Sequence, residues 1–598
     1  MQALGAVEKK FVVRTLSGKH RVTRLTSWLV IGLLGALEGK YGRTQYFGDW
    51  ISYLNVSRSL SAFHWKASFD PMWNPGYPAL VAMARFVLPG TPEGEWNAIT
   101  LLNWLIFLFA YACWRYLIRE ALGLYHPCSI EVRNRPLVVW TGCCSFLSCA
   151  LCLERVSSVS PDLLVTGMFL LASALSISLL TQPRATRAVA LGITLGAGYC
   201  IKSAFLPFGA IFLFNLWLAW RSKQLALRLF ILPALVSLAM FASYASAISW
   251  NNGYFTLGAT GKLNYSFHVN HMPHWTNWQG GPGVFGTPEH RTKQLISDLP
   301  VFGFGEPFQT TYPPYNNMAY WYLGARYFWS LKLQVLAIAR ALYFLARIVK
   351  ANPYLYLLAF TVFATMMKVD WRISLGAAAK RLWPVFLPAA LSFATYLTVH
   401  VEERYLSAFV LIFSLFPLLP LLNPSLSSRR ILVTGLLVIY LCGTAAELMK
   451  FDGSAFRAAL GRYDYHRDAQ WRLASAMPMF GLQPGDAVAL VDDSNPGYRC
   501  HWAYVSQLRI VAEFGSLPWM LAPWDHTRFE RTLSEPADQD YALLFWKKLT
   551  SERRAQVIDA FRQTTARSIV SLSVAGATPE PGWKRVFGTT AWIYHLKP

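Results

Sequence analysis

Long apolar runs recur along this chain, and they constrain its fold more than any other feature of the sequence. Each run is about 15–22 residues long, close to the ~20 residues that an α-helix needs to cross the hydrocarbon core of a bilayer. The runs lie at 25–39, 97–118, 136–153, 162–181, 188–202, 204–220, 229–250, 353–367, 382–399, 405–421 and 431–448. The pattern predicts a multi-pass α-helical membrane protein with about 11 transmembrane helices.

The composition supports this prediction. Only 15% of the 598 residues are charged and 54% are hydrophobic, whereas soluble domains carry about 25% charged residues. The net charge is +23, but the basic residues cluster in short stretches between the apolar runs. A nucleic-acid-binding protein would carry them as a stripe on a soluble domain. The charge pattern therefore indicates membrane topology and no nucleic-acid partner.

Basic residues also predict which side of the membrane each loop faces, because loops rich in Lys and Arg stay on the cytosolic side. The segment before the first run contains Lys9, Lys10, Arg14, Lys19, Arg21 and Arg24. Every second loop repeats this enrichment. We therefore expect 1–24 to be cytoplasmic, and 40–96, 154–161, 251–352 and 449–598 to face the opposite side. The alternative for the first run is a cleavable signal peptide.

This topology predicts a membrane domain at 25–448, with large outer loops at 40–96 and 251–352, and an extracytoplasmic tail at 449–598. The tail alternates strand and helix patterns, which is typical of a small α/β domain. Strands are predicted at 487–491, 508–514, 541–546 and 591–596, and helices at 467–477 and 551–563. An amphipathic stretch lies at 49–60, and helices lying on the membrane surface are predicted at 73–88 and 321–350. The alternative for 321–350 is a membrane crossing, which would change the helix count by one and move the tail to the other side.

Two aspartates at the predicted outer face are candidates for chemistry, because carboxylates near lipid are costly. Asp49 lies in GDWISYL, and Tyr53 shares its helical face. Asp49 is interpreted either as a general base for an acceptor hydroxyl or as a helix N-cap. Asp162 lies in SPDLL, where it is either a second acidic group, binding substrate or a divalent cation, or part of a cap with Ser160.

Basic residues at the same predicted level are candidates for binding a phosphate. Lys202 lies between two apolar runs, where its side chain either extends to the headgroup level or binds a phosphate as a point charge. Arg404 lies in HVEERY (400–405), where it either binds a phosphate or pairs with the neighbouring carboxylates at a helix start.

The large outer loop contains His268, His271 and His274, spaced every third residue. A metal cluster is disfavoured there, because Pro273 interrupts the helix that would align them and no acidic ligand lies nearby. Aromatic residues of this loop fit a sugar-binding face or an interfacial belt better; they include Tyr265, Trp275, Trp278 and Tyr312.

Five motifs in matching order, GDWISYL, WNPGYPALVA, SPDLL, GYCIKSAFLP and EERYLSAFVLIF, resemble the GT-C superfamily of polytopic glycosyltransferases. The resemblance is to the group related to protein O-mannosyltransferases and lipid A aminoarabinose transferase, and it covers about residues 25–448. It implies inverting transfer of a sugar from a polyprenyl-phosphate carrier at the outer face of the membrane. The alternative is a polytopic transporter or lipid flippase of cell-envelope glycoconjugates, although the sequence shows no internal repeat.

The resemblance also implies the site residues. Asp49 matches the first-loop aspartate that acts as the base or as an acid of the acceptor site, and Asp162 matches a second aspartate near it. The substrate-binding residues expected are Tyr53, Trp73, Tyr77, Lys202, Asn264, Tyr265, Tyr312, Glu403, Arg404 and Tyr405. The family pattern has two adjacent acids in the first loop, but Trp50 follows Asp49, which argues against a metal role there.

The partners implied are a polyprenyl-phosphate-linked sugar donor, a glycan, lipid or protein acceptor, and membrane lipids. The sequence assigns no cofactor, and a divalent cation bound by the carboxylates is the one candidate. The family likeness favours a bacterial inner membrane. The central expectation is that Asp49, Asp162, Lys202 and Arg404 meet in one pocket at the outer rim of the bilayer.

Overall fold

A computed structural model of the chain describes the residues 2–42, 48–87, 90–125, 135–272, 278–280, 285–352, 355–356, 371–415, 438, 442, 459–460, 469–492, 500–515, 546–572 and 581–596. Helices in this part are α1 (Gln2–Tyr41), α2 (Gly48–Ser61), α3 (Trp65–Ser68), α4 (Gly76–Arg85), α5 (Pro92–Tyr125), α6 (Arg135–Leu147), α7 (Asp162–Thr181), α8 (Ala185–Ile201), α9 (Phe205–Arg221), α10 (Leu227–Asn252), α11 (Thr260–His268), α12 (Met318–Trp321), α13 (Leu331–Ala351), α14 (Trp371–Leu397), α15 (Ser407–Phe413), α16 (Ala469–Ala476), α17 (His501–Val505) and α18 (Ser551–Arg562). Strands are β1 (Lys293–Ile296), β2 (Val301–Gly303), β3 (Ala487–Val491), β4 (Arg509–Phe514), β5 (Ser568–Ser571), β6 (Trp583–Arg585) and β7 (Trp592–His595).

The chain forms two compact units, and both are assembled from separate stretches of sequence. The first unit comprises Met1–Arg43, Glu93–Tyr244 and Leu336–Tyr463. The second comprises Thr44–Pro92, Ala245–Val335 and Asp464–Pro598.

Apolar helices coincide with the predicted transmembrane runs wherever the structure describes them. Within the described residues, the segments long and apolar enough to cross a membrane are Pro92–Leu124, Asp162–Thr181 and Leu227–Asn252. Shorter apolar helices are Val138–Glu154, Ala185–Ile201, Phe205–Arg221 and Leu382–Leu397. The predicted runs at 353–367 and 431–448 lie almost wholly outside the described residues.

Helix α1 carries the first predicted run and presents one face outward. Leu25, Leu29 and Leu33 are each about 60% exposed, while Ser27 and Ile31 between them are buried. Apolar side chains spaced four residues apart lie on one side of a helix. This exposed leucine stripe fits a surface in contact with lipid tails.

Helix α7 is the core of the first unit and is buried around most of its circumference, as expected for a helix that is apolar on all sides. The Phe169 ring packs against Phe208 of α9 at 5.4 Å and Phe409 of α15 at 5.3 Å between centroids. These contacts join three helices that carry or follow the candidate polar residues.

A hydrogen bond from α9 compensates for a proline in α14. Pro388 has no N–H to donate to the carbonyl oxygen of Pro384 one turn earlier. The side-chain amide of Asn215 donates to that oxygen at 3.2 Å instead. Prolines within transmembrane helices are tolerated where a neighbouring helix supplies such a partner.

The second unit contains a mixed sheet in the order β1-β2-β4-β3-β5-β7-β6. Strand β3 is parallel to both β4 and β5, and the outer pairs are antiparallel. All residues of β3 are buried, which is typical of a central strand covered on both faces. The predicted strands at 487–491, 508–514 and 591–596 are confirmed, as are the helices at 467–477 and 551–563.

Other parts of the sheet differ from the prediction. Strands β1 and β2 come from the large loop 251–352, and β2 pairs with β4 of the tail. The predicted strand at 541–546 is wrong at its described end, because Trp546 begins a short 3-10 helix, Trp546–Lys548; 541–545 lies outside the described residues. The Trp546 ring packs under the sheet against Phe514 and Trp583, so it is buried without belonging to a strand.

The helix predicted at 321–350 begins only at Leu331. Gly324 has a φ of +91°, in the left-handed region that favours glycine. The backbone around it bonds to the preceding segment: Glu289 N–H donates to the Leu323 carbonyl, and Arg326 N–H donates to the Phe285 carbonyl. These hydrogen bonds replace the helical ones over 322–330.

Candidate active site

Asp162, Lys202 and Arg404 form an ion cluster in the first unit, in which Asp162 is buried and the two cations are partly buried. Together with Glu402, we call it the Asp162 cluster. The Lys202 ammonium donates to Asp162 Oδ1. The Nε of Arg404 lies 3.6 Å from Asp162 Oδ2. Asp162 is 3% exposed, so this carboxylate is compensated by two cations rather than by water.

Local structure explains the position of Asp162. It is the first residue of α7, and its N–H donates to Ser160 Oγ at 3.2 Å, while that hydroxyl donates back to Asp162 Oδ2 at 2.5 Å. Pro161 is the cap residue of α7, the Ser160 hydroxyl accepts from the first N–H of the helix, and the Asp162 carboxylate takes part in the ion cluster. A role of Asp162 in binding substrate or a divalent cation stays a prediction. The carboxylate bonds the neighbouring hydroxyl and faces the two cations.

Glu402 completes the charge balance of the cluster. Arg404 Nε donates to Glu402 Oε2 at 2.6 Å, and His400 Nε2 lies 3.3 Å from the other carboxylate oxygen. Burial alone would raise the pKa of Glu402, but the charges of Arg404 and His400 outweigh it and hold the pKa well below its usual range. Two carboxylates thus face two cations before any ligand binds.

Aromatic rings cover one side of the Asp162 cluster. Lys202 Nζ lies 4.4 Å from the centroid of the Tyr405 ring, a cation–π distance. Tyr405 stacks on Tyr396 at 4.8 Å. A cavity of about 10 Å³ beside them is lined by Asp162, Val165, Thr166, Phe169, Phe208, Tyr396, Arg404, Tyr405, Ala408 and Phe409. It has room for one water molecule and not for a sugar.

Glu154 is an acidic residue that sequence reasoning did not select. It ends a π-helical turn, Ser148–Glu154, is 5% exposed, and accepts from Thr166 Oγ1 at 2.5 Å. Within the described part of the chain its Oε2 has no hydrogen-bond partner. π-turns are rare and often lie at functional sites. This backbone feature, which no sequence motif marks, makes Glu154 a candidate site residue.

Asp49 lies in the second unit, as the second residue of α2. Its Oδ1 accepts from the hydroxyl of Tyr315 at 2.9 Å. The two residues are 266 positions apart in sequence, which is why no spacing argument found Tyr315. Asp49 therefore lies within the first turn of the helix instead of capping it from outside.

Aromatic residues predicted to bind substrate pack together near Asp49, and they are buried. Trp73 stacks on Tyr315 at 6.0 Å and meets Tyr53 edge-on at 5.3 Å, and Tyr53 meets Tyr77 at 5.9 Å. Tyr312 is also buried, and its hydroxyl donates to Glu513 Oε2 of β4 at 2.7 Å. These side chains form an aromatic support for the Asp49 region.

The other predicted residues lie elsewhere. Asn264 and Tyr265 are on α11, where both are half-buried. Glu403 accepts from the Asn352 amide at 3.4 Å and is not a member of the Asp162 cluster. His268 and His271 are described and His274 is not. The predicted residues thus fall into two groups, the Asp162 cluster in the first unit and the surroundings of Asp49 in the second.

The residues present do not fit a divalent-cation site. No group of three or more His, Cys, Asp or Glu side chains that could hold a metal occurs in the described ranges. Asp162 already accepts from Lys202 and Ser160, and divalent cations such as Ca²⁺ need several oxygen ligands at once. We derive no catalytic step through a metal.

Comparisons with solved structures identify the architecture. An oligosaccharyltransferase from Archaeoglobus fulgidus, in complex with Zn and sulfate, has a TM-score of 0.50 at 12% identity, over 91% of this chain and 67% of the other. ArnT from Cupriavidus metallidurans, bound to undecaprenyl phosphate, has a TM-score of 0.50 at 11% identity, over 96% of this chain and 98% of the other. The chain has the GT-C fold. Together with its apolar helices, this fold makes it an integral membrane protein.

No protein-family model matches the sequence, and no curated protein sequence matches it. The GT-C fold expected from the sequence motifs is therefore confirmed, at an identity of 11–12% to the solved structures.

Proposed function

We propose that this protein transfers a sugar from a polyprenyl-phosphate carrier to a hydroxyl acceptor at the outer face of a membrane, which the family likeness suggests is a bacterial inner membrane. The observation that carries the proposal is the GT-C fold over more than nine-tenths of the chain, shared with a protein bound to undecaprenyl phosphate. The Asp162 cluster and the Asp49–Tyr315 pair supply acidic and basic groups of the kinds that this reaction needs.

Asp49 is the general base in this proposal. Its carboxylate accepts the proton of the acceptor hydroxyl as the oxygen attacks C1 of the donor sugar. The new C1–oxygen bond forms as the bond from C1 to the carrier phosphate oxygen breaks, and the polyprenyl phosphate leaves with that electron pair. Attack from the face opposite the leaving group inverts the configuration at C1. No nucleotide takes part in this transfer.

Lys202 and Arg404 are proposed to stabilise the negative charge that develops on the leaving phosphate. Both cations are already compensated by Asp162 and Glu402, so a phosphate competes with these carboxylates for them. We assign Asp162 the task of orienting the two cations, since its oxygens accept from Lys202 and Ser160.

The experiment is a transfer assay with the purified protein in membranes and a labelled polyprenyl-phosphate sugar. We expect Asp49→Asn to lower the rate by at least ~100-fold, within the range of general-base catalysis. The matched control is Asp298→Asn, which removes an exposed carboxylate paired with Arg553, and it should transfer at the wild-type rate. Transfer by Asp49→Asn at the rate of this control would remove Asp49 as the base.

A further inference from the structure

We propose that Tyr315 is the positioning residue for Asp49, with Asp70 holding the segment that carries Tyr315. This inference rests on the proposed function, because it gives Asp49 the role of base. Its basis is the 2.9 Å hydrogen bond from the Tyr315 hydroxyl to Asp49 Oδ1. A donor held at one oxygen fixes the plane of a carboxylate, and with it the direction of the lone pairs that accept a proton.

Tyr315 can orient Asp49 only if it is itself held in place, and its carbonyl oxygen shows that it is. This oxygen accepts from Ser52 Oγ at 3.2 Å and from Trp73 Nε1 at 3.1 Å. Ser52 lies on α2 one turn after Asp49. Helix α2 therefore contacts Tyr315 at both ends of the residue, through its hydroxyl and through its carbonyl.

The ring of Tyr315 is also restrained. It stacks on Trp73 with an interplanar angle of 17°, and the residue is 7% exposed. Pro313 and Pro314 precede it in a 3-10 helix, Pro313–Tyr315. Proline fixes φ near −65°, so the backbone that leads into Tyr315 has few other conformations.

Asp70 joins the two segments that carry Trp73 and Tyr315. Its Oδ1 accepts from the N–H groups of Met72 and Trp73 at 2.7 and 3.1 Å, and its Oδ2 accepts from the N–H of Asn317 at 2.7 Å. Asp70 is 2% exposed. One buried carboxylate thus fixes the backbone next to both members of the stacked pair, at a sequence separation of 247 residues.

The chemical consequence is that Tyr315 acts on the chemical step through Asp49 and not on donor binding. A base that is displaced by about 1 Å costs roughly 100-fold in rate. Such a loss appears in kcat, while the KM for the donor stays the same. A residue that only stabilised the fold would lower the amount of folded protein and leave kcat per folded molecule unchanged.

The test compares Tyr315→Phe with Tyr594→Phe in the same transfer assay. Tyr315→Phe keeps the stacked ring and the carbonyl contacts and removes only the hydroxyl. Tyr594→Phe removes another tyrosine hydroxyl hydrogen bond of 2.9 Å, which Arg562 donates. We expect Tyr315→Phe to lower kcat per folded molecule by about 10–100-fold at an unchanged KM for the donor, with Tyr594→Phe like wild type.

Ser52→Ala is the second variant, because it removes one of the bonds to the Tyr315 carbonyl and leaves every ring in place. It should lower kcat in the same direction and by less. Thermal midpoints near that of wild type would show that both variants fold.

The possible results separate this inference from the proposed function. If Asp49→Asn is inactive while Tyr315→Phe has the kcat of Tyr594→Phe, the inference is wrong and the proposed function stands. A lower rate in Tyr315→Phe that is fully explained by a smaller folded fraction also overturns it, because that result indicates a structural role. If Asp49→Asn transfers normally, both fail together.

Discussion

Asp70 gives a pH dependence that can be assigned to one residue. Burial raises its pKa to about 6, although the three backbone N–H donors lower it. A carboxyl whose pKa is higher in the folded state than in the unfolded state stabilises the fold at low pH. That contribution is complete below about pH 4, the usual value for Asp, and it is lost as pH rises through 6.

We therefore expect the wild-type protein to lose up to about 3 kcal/mol of unfolding free energy between pH 4 and pH 7 relative to Asp70→Asn, which cannot ionise. Thermal midpoints of the two purified proteins, measured across this pH range, report the difference. A constant difference between the two proteins at every pH would show that Asp70 does not titrate there.

The pair formed by Asp162 and Lys202 predicts strong energetic coupling. Removing one partner leaves a charge with only part of its compensation, which costs up to about 3–5 kcal/mol. Asp162→Asn and Lys202→Met should each lower the unfolding free energy by about that amount. The double variant should lose less than the sum, since it leaves neither charge behind.

The control for this cycle is the exposed pair of Arg567 and Asp486, at 2.8 Å. Exposed pairs contribute about 0–1 kcal/mol, so the same cycle there should show little coupling. Equal coupling in the two cycles, measured by unfolding in detergent, would contradict a special role for burial at Asp162.

At the scale of elements, close packing of α8 on α10 depends on two glycines. A Cβ added at Gly192 would lie 2.7 Å from Val236 Cβ and 2.9 Å from the Pro233 carbonyl oxygen. A Cβ at Gly196 would lie 2.5 Å from Met240 Sδ. This is the small-xxx-small spacing that lets transmembrane helices approach closely, and α8 ends next to Lys202.

We expect Gly192→Ala to destabilise the protein by about 1–3 kcal/mol through overpacking. Gly123→Ala is the matched control, because no atom lies within 4 Å of its added Cβ, and alanine favours a helix over glycine by about 1 kcal/mol. The thermal unfolding midpoint, measured for both variants, should fall below that of wild type only for Gly192→Ala. Equal midpoints would contradict the close approach of α8 and α10.

Elements with a local pattern could be predicted from the sequence, and those without one could not. The run at 162–181 and strand β3 have apolar patterns that match their burial. Strand β2 has three residues and pairs with a strand more than 200 positions later, so no local pattern marks it. The helix predicted over 322–330 does not form for a similar reason, because tertiary hydrogen bonds replace the local ones.

The same distinction applies to the candidate site. Asp49, Asp162, Lys202 and Arg404 were selected because ionisable residues beside apolar runs are unusual. Tyr315 and Asp70 were missed because their significance lies in contacts across 266 and 247 residues of sequence. Spacing within a motif carries no information about such contacts.

At the scale of the whole molecule, the distribution of Lys and Arg predicts the orientation in the membrane. We expect a reporter that is active only outside the cytosol to be active when fused to the C-terminus, because 449–598 should face outward. The matched control is a fusion in the loop at 182–184, between α7 and α8, which should be inactive. The opposite pattern would place the tail on the cytosolic side and remove the outer-face reaction.

The most direct measurement distinguishes transfer from transport. Purified protein in lipid vesicles is given polyprenyl-phosphate sugars labelled in the phosphate and in the sugar, with a crude envelope fraction as acceptor. The account predicts that the two labels separate: the phosphate label appears in free polyprenyl phosphate and the sugar label appears in a product. Asp49→Asn should abolish both. If the wild-type protein moves the donor across the bilayer and leaves it intact with every sugar tried, the account is contradicted and the protein is a flippase.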